Sequence, residues 1–118
     1  MNYLLVFVGG GFGCVLRYLI SNGVLRLYQG TFPVGTLISN ALSCAILVGI
    51  FSVLSMDNSE SKWVRPALIV GFCGGFSTFS TFGFETVQLI KNGNPWIAAA
   101  NILVSLSVCL VILYRLHR

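Results

Sequence analysis

Four long apolar runs dominate this 118-residue sequence, and they constrain its fold more than any other feature. Crossing roughly 30 Å of bilayer hydrocarbon takes about 20 residues of α-helix, because each residue adds about 1.5 Å. Only 8% of the residues are charged and 56% are hydrophobic, which is far from the composition of a soluble domain. The sequence therefore predicts an all-α integral membrane protein whose four transmembrane helices cover residues 3–27, 34–54, 66–90 and 96–114.

The prolines agree with these boundaries. All three lie at or just before the start of a predicted helix, where a missing backbone N–H costs little: Pro33, Pro66 and Pro95. The first run lacks a basic leader and a small-residue cleavage site, so we expect it to remain as a helix. Because the connections are short and no repeat or linker is evident, we predict a single transmembrane domain over residues 1–118.

The basic residues give only a weak preference for one orientation in the bilayer. Four lie on the side shared by both termini and two on the other: Lys62, Arg65, Arg115 and Arg118 against Arg26 and Lys91. Under the positive-inside rule, such a chain can insert both ways and pair antiparallel with itself, or take one orientation with both termini cytoplasmic. These flanking residues also explain the net charge of +4, so we expect no nucleic-acid partner.

The sequence offers little to catalysis. His117 is the only histidine, so one chain cannot assemble a Ser-His triad or a histidine-based metal site. The cysteines Cys14, Cys44, Cys73 and Cys109 fall in four different spans without a C-x-x-C pair. Thiols in such places usually act as small apolar packing groups. We therefore predict that the protein is not an enzyme and has no disulfide, zinc site or organic cofactor.

The third helix carries an unusual stretch, GGFSTFSTF, over residues 74–82. Lipid cannot hydrogen-bond hydroxyl groups, so polar residues at membrane depth indicate a protein interface or a water-filled pathway. The glycine pair Gly74-Gly75 predicts that the helix breaks near the bilayer midplane and leaves carbonyls free for a cation such as sodium. Close packing of these glycines against a partner helix is the structural alternative.

Three side chains follow one another at helical spacing beyond the glycines. Phe79 and Phe82 would share one face of a resumed helix, with Glu85 three residues further. The edge of a phenyl ring is electropositive, so edge-on rings can attract a small anion without trapping it; core packing is the alternative. A carboxylate inside a membrane is costly unless hydrated or paired, so Glu85 is either a vestibule residue or a structural one that snorkels to the interface or pairs with an arginine.

Polar side chains also line one face of the second and fourth helices. Thr36, Asn40 and Ser43 follow i, i+4, i+7 spacing. Asn101 and Ser105 form a similar i, i+4 pair, with Cys109 one step further. Hydrogen bonds that merely hold helices together are a common use of such residues in membranes. The functional interpretation is that both faces line the same conduit.

Further motifs accompany these residues in each of the first three helices. The first has Gly9-Gly10, Gly13 and Arg17-Tyr18, the second has Gly35-Thr36-Leu37 with Asn40, and the third has GFCGGFSTFSTF over residues 71–82. Together they resemble the Fluc (CrcB) fluoride channels. The resemblance covers all four helices, and the third-helix motif is its most specific part.

The resemblance implies a passive, highly selective channel that exports fluoride from the cytoplasm and confers fluoride resistance. It implies an antiparallel dual-topology homodimer with two pores and a structural sodium ion at its centre, multi-pass in a bacterial inner (plasma) membrane. Gly74 and Ser77 match the positions whose main-chain carbonyls hold sodium, and Arg17 and Glu85 match vestibular positions. The positions that match the fluoride pore are Asn40, Phe79, Ser80, Thr81, Phe82 and Ser105.

The chain departs from the family pattern at a few positions. Ser77 replaces a threonine, Cys14 an alanine, Ser43 a glycine and Ala45 a phenylalanine, and Gly49 comes one place later than the usual glycine. Most of these changes lie in the second helix, whose packing we expect to differ. The pore asparagine and both phenylalanines are intact, which favours a homodimer over a pair of distinct subunits.

Two other functions remain as alternatives. A small multidrug-resistance-type exporter exchanges protons for cations through a glutamate in its first helix, whereas the only acidic residue within a span here is Glu85 in the third. A non-transporting assembly subunit would explain the glycines and serines, but it explains the intact Asn40 and phenylalanine pair poorly.

Overall fold

The described residues form four helical spans, as the sequence predicts. The computed structural model describes residues 2–53 and 61–116, and no strand occurs in these two ranges. Four stretches in them are long and apolar enough to cross a membrane. Residue 54, which is the predicted end of the second helix, and the terminal His117 and Arg118 lie outside the described residues. In chain order the elements are α1 (Asn2–Leu27), α2 (Val34–Val53), α3 (Ser61–Val64), a π-helical segment (Arg65–Cys73), α4 (Gly74–Phe76), α5 (Ser80–Lys91) and α6 (Pro95–Leu116).

The third span is a broken helix. It runs from α3 through the π-helical segment and α4, becomes extended at Ser77 (φ −83°, ψ 158°), and resumes as α5 at Ser80. Pro66 lies at the start of the π-helical segment, where its missing N–H and its ring disfavour regular α-helical bonding. The predicted break is confirmed, but its predicted place at the glycine pair is wrong: Gly74 and Gly75 are helical, and the break covers residues 77–79.

The glycines allow α1 to pack closely against the first half of the third span. A Cβ atom on Gly13 would collide with the carbonyl oxygen of Phe72, and one on Gly75 would lie 2.5 Å from the carbonyl oxygen of Gly10. Small residues let helix backbones approach in membranes, where packing and not the hydrophobic effect drives association. Of the glycine pair, Gly75 therefore has the close packing that was the structural alternative, whereas Gly74 does not contact α1 in this way.

The two halves of the third span have different neighbours. The π-helical segment and α4 pack against α1, whereas α5 packs against α6. Helix α2 packs against both α1 and α6, and it also touches the first half of the third span. The non-helical residues 77–79 thus lie where the two halves part, beside α2, and this junction holds the candidate site.

Candidate functional site: a polar groove at the helix break

Asn40 on α2 binds the main chain of the break at two atoms. Its Nδ2 donates to the carbonyl oxygen of Thr78 (3.2 Å), and its Oδ1 accepts the Thr78 N–H (2.7 Å). A broken helix in a bilayer leaves backbone groups that lipid cannot satisfy. One carboxamide satisfies a donor and an acceptor together, and its NH₂ group carries a second hydrogen for a ligand. Asn40 therefore supports the break and remains a candidate pore residue.

Near the end of the first half of the third span, the carbonyl of Cys73 accepts three hydrogen bonds. This oxygen accepts hydrogen bonds from the Ser77 N–H (3.0 Å), the Ser77 hydroxyl (2.9 Å) and the Ser43 hydroxyl (3.0 Å). Ser43 is buried, and its bond ties α2 to the end of the π-helical segment. A glycine at position 43 could not donate this bond, so Ser43 adds a contact between α2 and the third span.

Thr78 also begins the second half of the span. Its Oγ1 accepts the N–H of Thr81 (3.2 Å), as a capping side chain does at a helix N-terminus, and lies 3.4 Å from Oγ of Ser80. Because the Thr78 oxygen accepts this backbone N–H, the hydroxyl hydrogen of Thr78 points away from the Thr81 N–H. Ser80 is exposed, whereas Thr81 is half-buried.

Two carbonyls lose their helical donors at the break. In an uninterrupted α-helix the N–H groups of Thr78 and Thr81 would bond the carbonyls of Gly74 and Ser77. Here those N–H groups bond Oδ1 of Asn40 and Oγ1 of Thr78. The described residues contain no group of three or more His, Cys, Asp or Glu that could hold a metal ion. A cation at the break would therefore depend on main-chain oxygens such as these two.

A groove of about 220 Å³ opens beside the break. The rings of Phe79 and Phe82 lie on its wall with their centroids 6.0 Å apart and their planes tilted by 43°. Phe79 is 82% exposed in the single subunit, so the groove is open on one side. The full lining is Asn40, Cys44, Ser77, Thr78, Phe79, Phe82, Ser105, Leu106 and Cys109.

A chain of buried hydrogen bonds links α5 to α6 behind the groove. Asn101, which is 1% exposed, donates from Nδ2 to Oγ1 of Thr86 (2.9 Å), and Thr86 donates to the carbonyl of Phe82 (2.8 Å). The hydroxyl of Ser105 donates to Oδ1 of Asn101 (3.2 Å). Asn101 therefore fixes the direction of the Ser105 hydroxyl, which presents its oxygen and not its hydrogen to the groove.

Glu85 lies at a second cavity, of about 330 Å³, and Thr36 also lines it. The Thr36 hydroxyl donates to Oε1 of Glu85. Among the described residues, the partner of the carboxylate is thus a hydroxyl on α2 and not an arginine. Arg17 lies elsewhere: its Nε donates to the carbonyl of Gly75 (3.2 Å), next to the glycine packing of α1. The two predicted vestibule residues therefore occupy separate places in the subunit.

Comparison with known sequences identifies the family. The family described as "CrcB-like protein, Camphor Resistance (CrcB)" matches residues 4–115. The chain belongs to the CrcB family. A CrcB relative from Pyrococcus horikoshii, named "Fluoride-specific ion channel FluC", is 44% identical over 110 residues, which are 93% of this chain and 88% of the relative.

Two further relatives have the same name. The one from Coxiella burnetii is 41% identical over 113 residues, covering 93% of this chain and 90% of its own. The one from Phocaeicola vulgatus is 47% identical over 92 residues, covering 78% and 75%. These relatives are named as channels, so this CrcB chain is a multi-pass membrane protein of a channel family and not an enzyme.

The predicted pore residues of this CrcB chain are only partly brought together. Asn40, Phe79, Phe82 and Ser105 line one groove, whereas Ser80 and Thr81 are not among its lining residues. Two cysteines also line it. Cys109 lies one step beyond Ser105 on the face of the fourth helix that the sequence predicts to line the conduit. Cys44 was predicted only to pack, although it follows Asn40 by four positions along the same helix.

Proposed function

We propose that this CrcB chain is a passive, selective fluoride channel that exports fluoride from the cytoplasm. The observation that carries the proposal is the groove at the helix break, where the Asn40 amide and the rings of Phe79 and Phe82 line one space. The names of the three relatives support fluoride as the transported ion. A bacterial inner membrane, in which the chain inserts in both orientations, is part of the proposal.

The groove has the chemistry that fluoride selectivity needs. Fluoride is small and strongly hydrated, so a narrow path must replace its lost water with donors such as the Asn40 N–H and with the electropositive edges of phenyl rings. None of the described residues that line the groove is charged. A fixed positive charge there would hold the anion too strongly for conduction. Larger halides would be excluded by width.

The second part of the proposal is an antiparallel homodimer with two pores. A conducting path must be enclosed, yet Phe79 is 82% exposed and leaves the groove of one subunit open. A second copy of the chain is the simplest way to enclose the groove. In a two-fold symmetric dimer each copy would enclose the groove of the other, which gives two pores. The weak bias of the flanking basic residues supports an antiparallel arrangement.

The third part is a structural sodium ion at the centre of the dimer. The carbonyls of Gly74 and Ser77 fit this role, because their helical N–H donors are diverted to Asn40 and to the Thr78 side chain. Gly74 is exposed in the single subunit, so its backbone can reach a partner. Bound sodium would supply a positive charge that neutralises these carbonyl dipoles where the subunits meet.

Anion efflux from liposomes tests the proposal. Purified protein is reconstituted in liposomes loaded with potassium fluoride or potassium chloride, and efflux is started with valinomycin and followed with an ion-selective electrode. We expect rapid fluoride efflux that needs no proton gradient, with chloride efflux no faster than in protein-free liposomes. Equal leakage of both anions, or leakage of neither, would contradict a fluoride channel. Strict dependence on a proton gradient would favour the exporter alternative.

A further inference from the structure

Two thiols form a pair on the wall of the groove. Cys44 lies one turn after Asn40 on α2, and Cys109 lies one turn after Ser105 on α6. Both are free and half-buried, and the thiol of Cys109 interacts with that of Cys44. Cys14 is exposed on α1, and Cys73, whose thiol also interacts with that of Cys44, is buried at the end of the π-helical segment; neither lines the groove. The groove therefore carries two sulfur atoms from two different helices.

The number and type of these ligands restrict what can bind them. Sulfur is a soft ligand and selects soft metals. A structural zinc site takes four ligands in a closed tetrahedron, and the described residues contain no group of three or more His, Cys, Asp or Glu that could hold a metal ion. Mercury(II) differs because two thiolate sulfurs in line satisfy it. A thiol pair with only amide, hydroxyl and apolar neighbours therefore suits a two-coordinate soft ion.

Charge balance favours a divalent ion over a monovalent one. Each thiol loses its proton as its sulfur bonds the metal, so two S–H bonds break, two S–Hg bonds form and two protons leave, with no change of oxidation state. The product of Hg²⁺ and two thiolates is neutral. Silver(I) or copper(I) with the same two thiolates would leave a net negative charge, which is costly to bury inside a membrane protein.

We propose that Cys44 and Cys109 together form a two-coordinate site for a soft divalent cation of the mercury(II) type, and that the bound ion obstructs the groove between Asn40 and Phe82. The binding part of this proposal rests on the thiol pair alone. The obstruction part rests on the proposed function, since it needs the groove to be the path of fluoride.

Metal retention tests the binding part. Wild-type protein in detergent is given Hg²⁺, challenged with a series of monothiol concentrations, desalted and assayed for bound mercury by mass spectrometry. Two sulfurs on one protein act as a chelate, which raises avidity by about 10²–10⁴-fold over one. We therefore expect Cys44→Ser and Cys109→Ser each to release mercury at roughly 100-fold less competitor than wild type. The double variant should release mercury at about the same competitor concentration as either single variant.

Cys14→Ser is the matched control, because it removes one exposed thiol that lies outside the groove. It should retain mercury as wild type does. Serine is close in size to cysteine, and elution by size exclusion identifies any variant that fails to fold. Wild-type retention in either single groove variant, or loss of retention in Cys14→Ser alone, would overturn the thiol pair as the site.

Fluoride efflux from liposomes tests the obstruction part. Hg²⁺ should block efflux through wild-type protein and through Cys14→Ser, and both groove variants should resist the block. Unchanged efflux from wild-type protein that retains mercury would overturn the obstruction. A protein with no fluoride efflux before mercury is added would instead overturn the proposed function, and the retention experiment would still decide whether the thiols bind the ion.

Discussion

Asn40 bonds both the N–H and the carbonyl oxygen of Thr78, at 2.7 and 3.2 Å, although the two residues are 38 positions apart. This pair couples the shape of the third span to a side chain of the second. The same carboxamide lines the groove, so the residue that bonds the main chain of the break also lies on the proposed path of the ion.

Asn40→Asp should therefore lower both the stability of the protein and its fluoride efflux. A carboxylate keeps the acceptor for the Thr78 N–H, but it cannot donate to the Thr78 carbonyl and places a negative charge in the groove. We expect fluoride efflux to fall at least about tenfold, and the free energy of unfolding to fall by about 1–3 kcal/mol for the unsatisfied carbonyl. Asn2→Asp makes the same chemical change at an exposed position and should leave both unchanged. Wild-type efflux in Asn40→Asp would remove the carboxamide from the path.

Phe82→Ile should slow fluoride without disrupting assembly. The Phe79 and Phe82 rings are 6.0 Å apart on the groove wall, and isoleucine removes one electropositive ring edge. Interactions of aromatic rings are worth about 0.5–1.5 kcal/mol, so efflux should fall about two- to tenfold. Phe84→Ile is the control, since Phe84 lies on the same helix, is exposed and does not line the groove. Equal rates for the two variants would count against a role for the ring in conduction.

The four spans could be predicted from the sequence because their signal is local. Run length, helix-starting prolines and the absence of charge all act within about 20 residues, and the predicted ends at residues 3, 27, 34 and 96 lie within one residue of the observed ones. The polar spacing on α2 and α6 likewise identified Asn40 and Ser105 as residues of a shared face, and both line the groove.

The position of the break could not be predicted, because a glycine pair permits two opposite outcomes. It loosens a helix, but it also lets another helix approach, and here Gly75 is helical and packs closely against α1. The break begins at Ser77, two residues after the pair, where a distant acceptor on Asn40 and a local one on Thr78 replace the helical carbonyls. The link between Asn101 and Thr86 depends on the same kind of long-range pairing and has no periodic signal in the sequence.

Gly13→Ala should loosen the packing of α1 on the third span. The new Cβ atom would meet the carbonyl oxygen of Phe72, which is backbone and cannot turn away as a flexible side chain can. Overpacking of this kind typically costs about 1–3 kcal/mol. Gly11→Ala has nothing within 4 Å of the new atom and should be neutral or slightly stabilising. Thermal unfolding in detergent compares them, and a Gly13→Ala variant as stable as Gly11→Ala would contradict the close approach.

Asn101→Leu should destabilise the contact between α5 and α6. It leaves the hydroxyls of Thr86 and Ser105 without their buried carboxamide partner, at a cost of about 1–3 kcal/mol in the free energy of unfolding. In a double-mutant cycle with Thr86→Val, we expect a coupling energy of roughly 0.6 kcal/mol, as for other hydrogen bonds in membranes. Ser107→Ala, at an exposed position on α6, is a neutral control. Strictly additive effects of the two substitutions would contradict the hydrogen bond.

Sodium removal should weaken the proposed dimer through main-chain atoms and not through the Ser77 side chain. The Ser77 hydroxyl donates to the carbonyl of Cys73 (2.9 Å), so it is already engaged, whereas the Ser77 carbonyl has lost its helical donor. Replacing sodium with N-methylglucamine should lower both the dimer fraction, measured by cross-linking, and fluoride efflux. Ser77→Ala keeps the carbonyl and should need the same sodium concentration as wild type. A shifted requirement would make the hydroxyl a ligand, and indifference of both proteins to sodium would contradict an ion at this break.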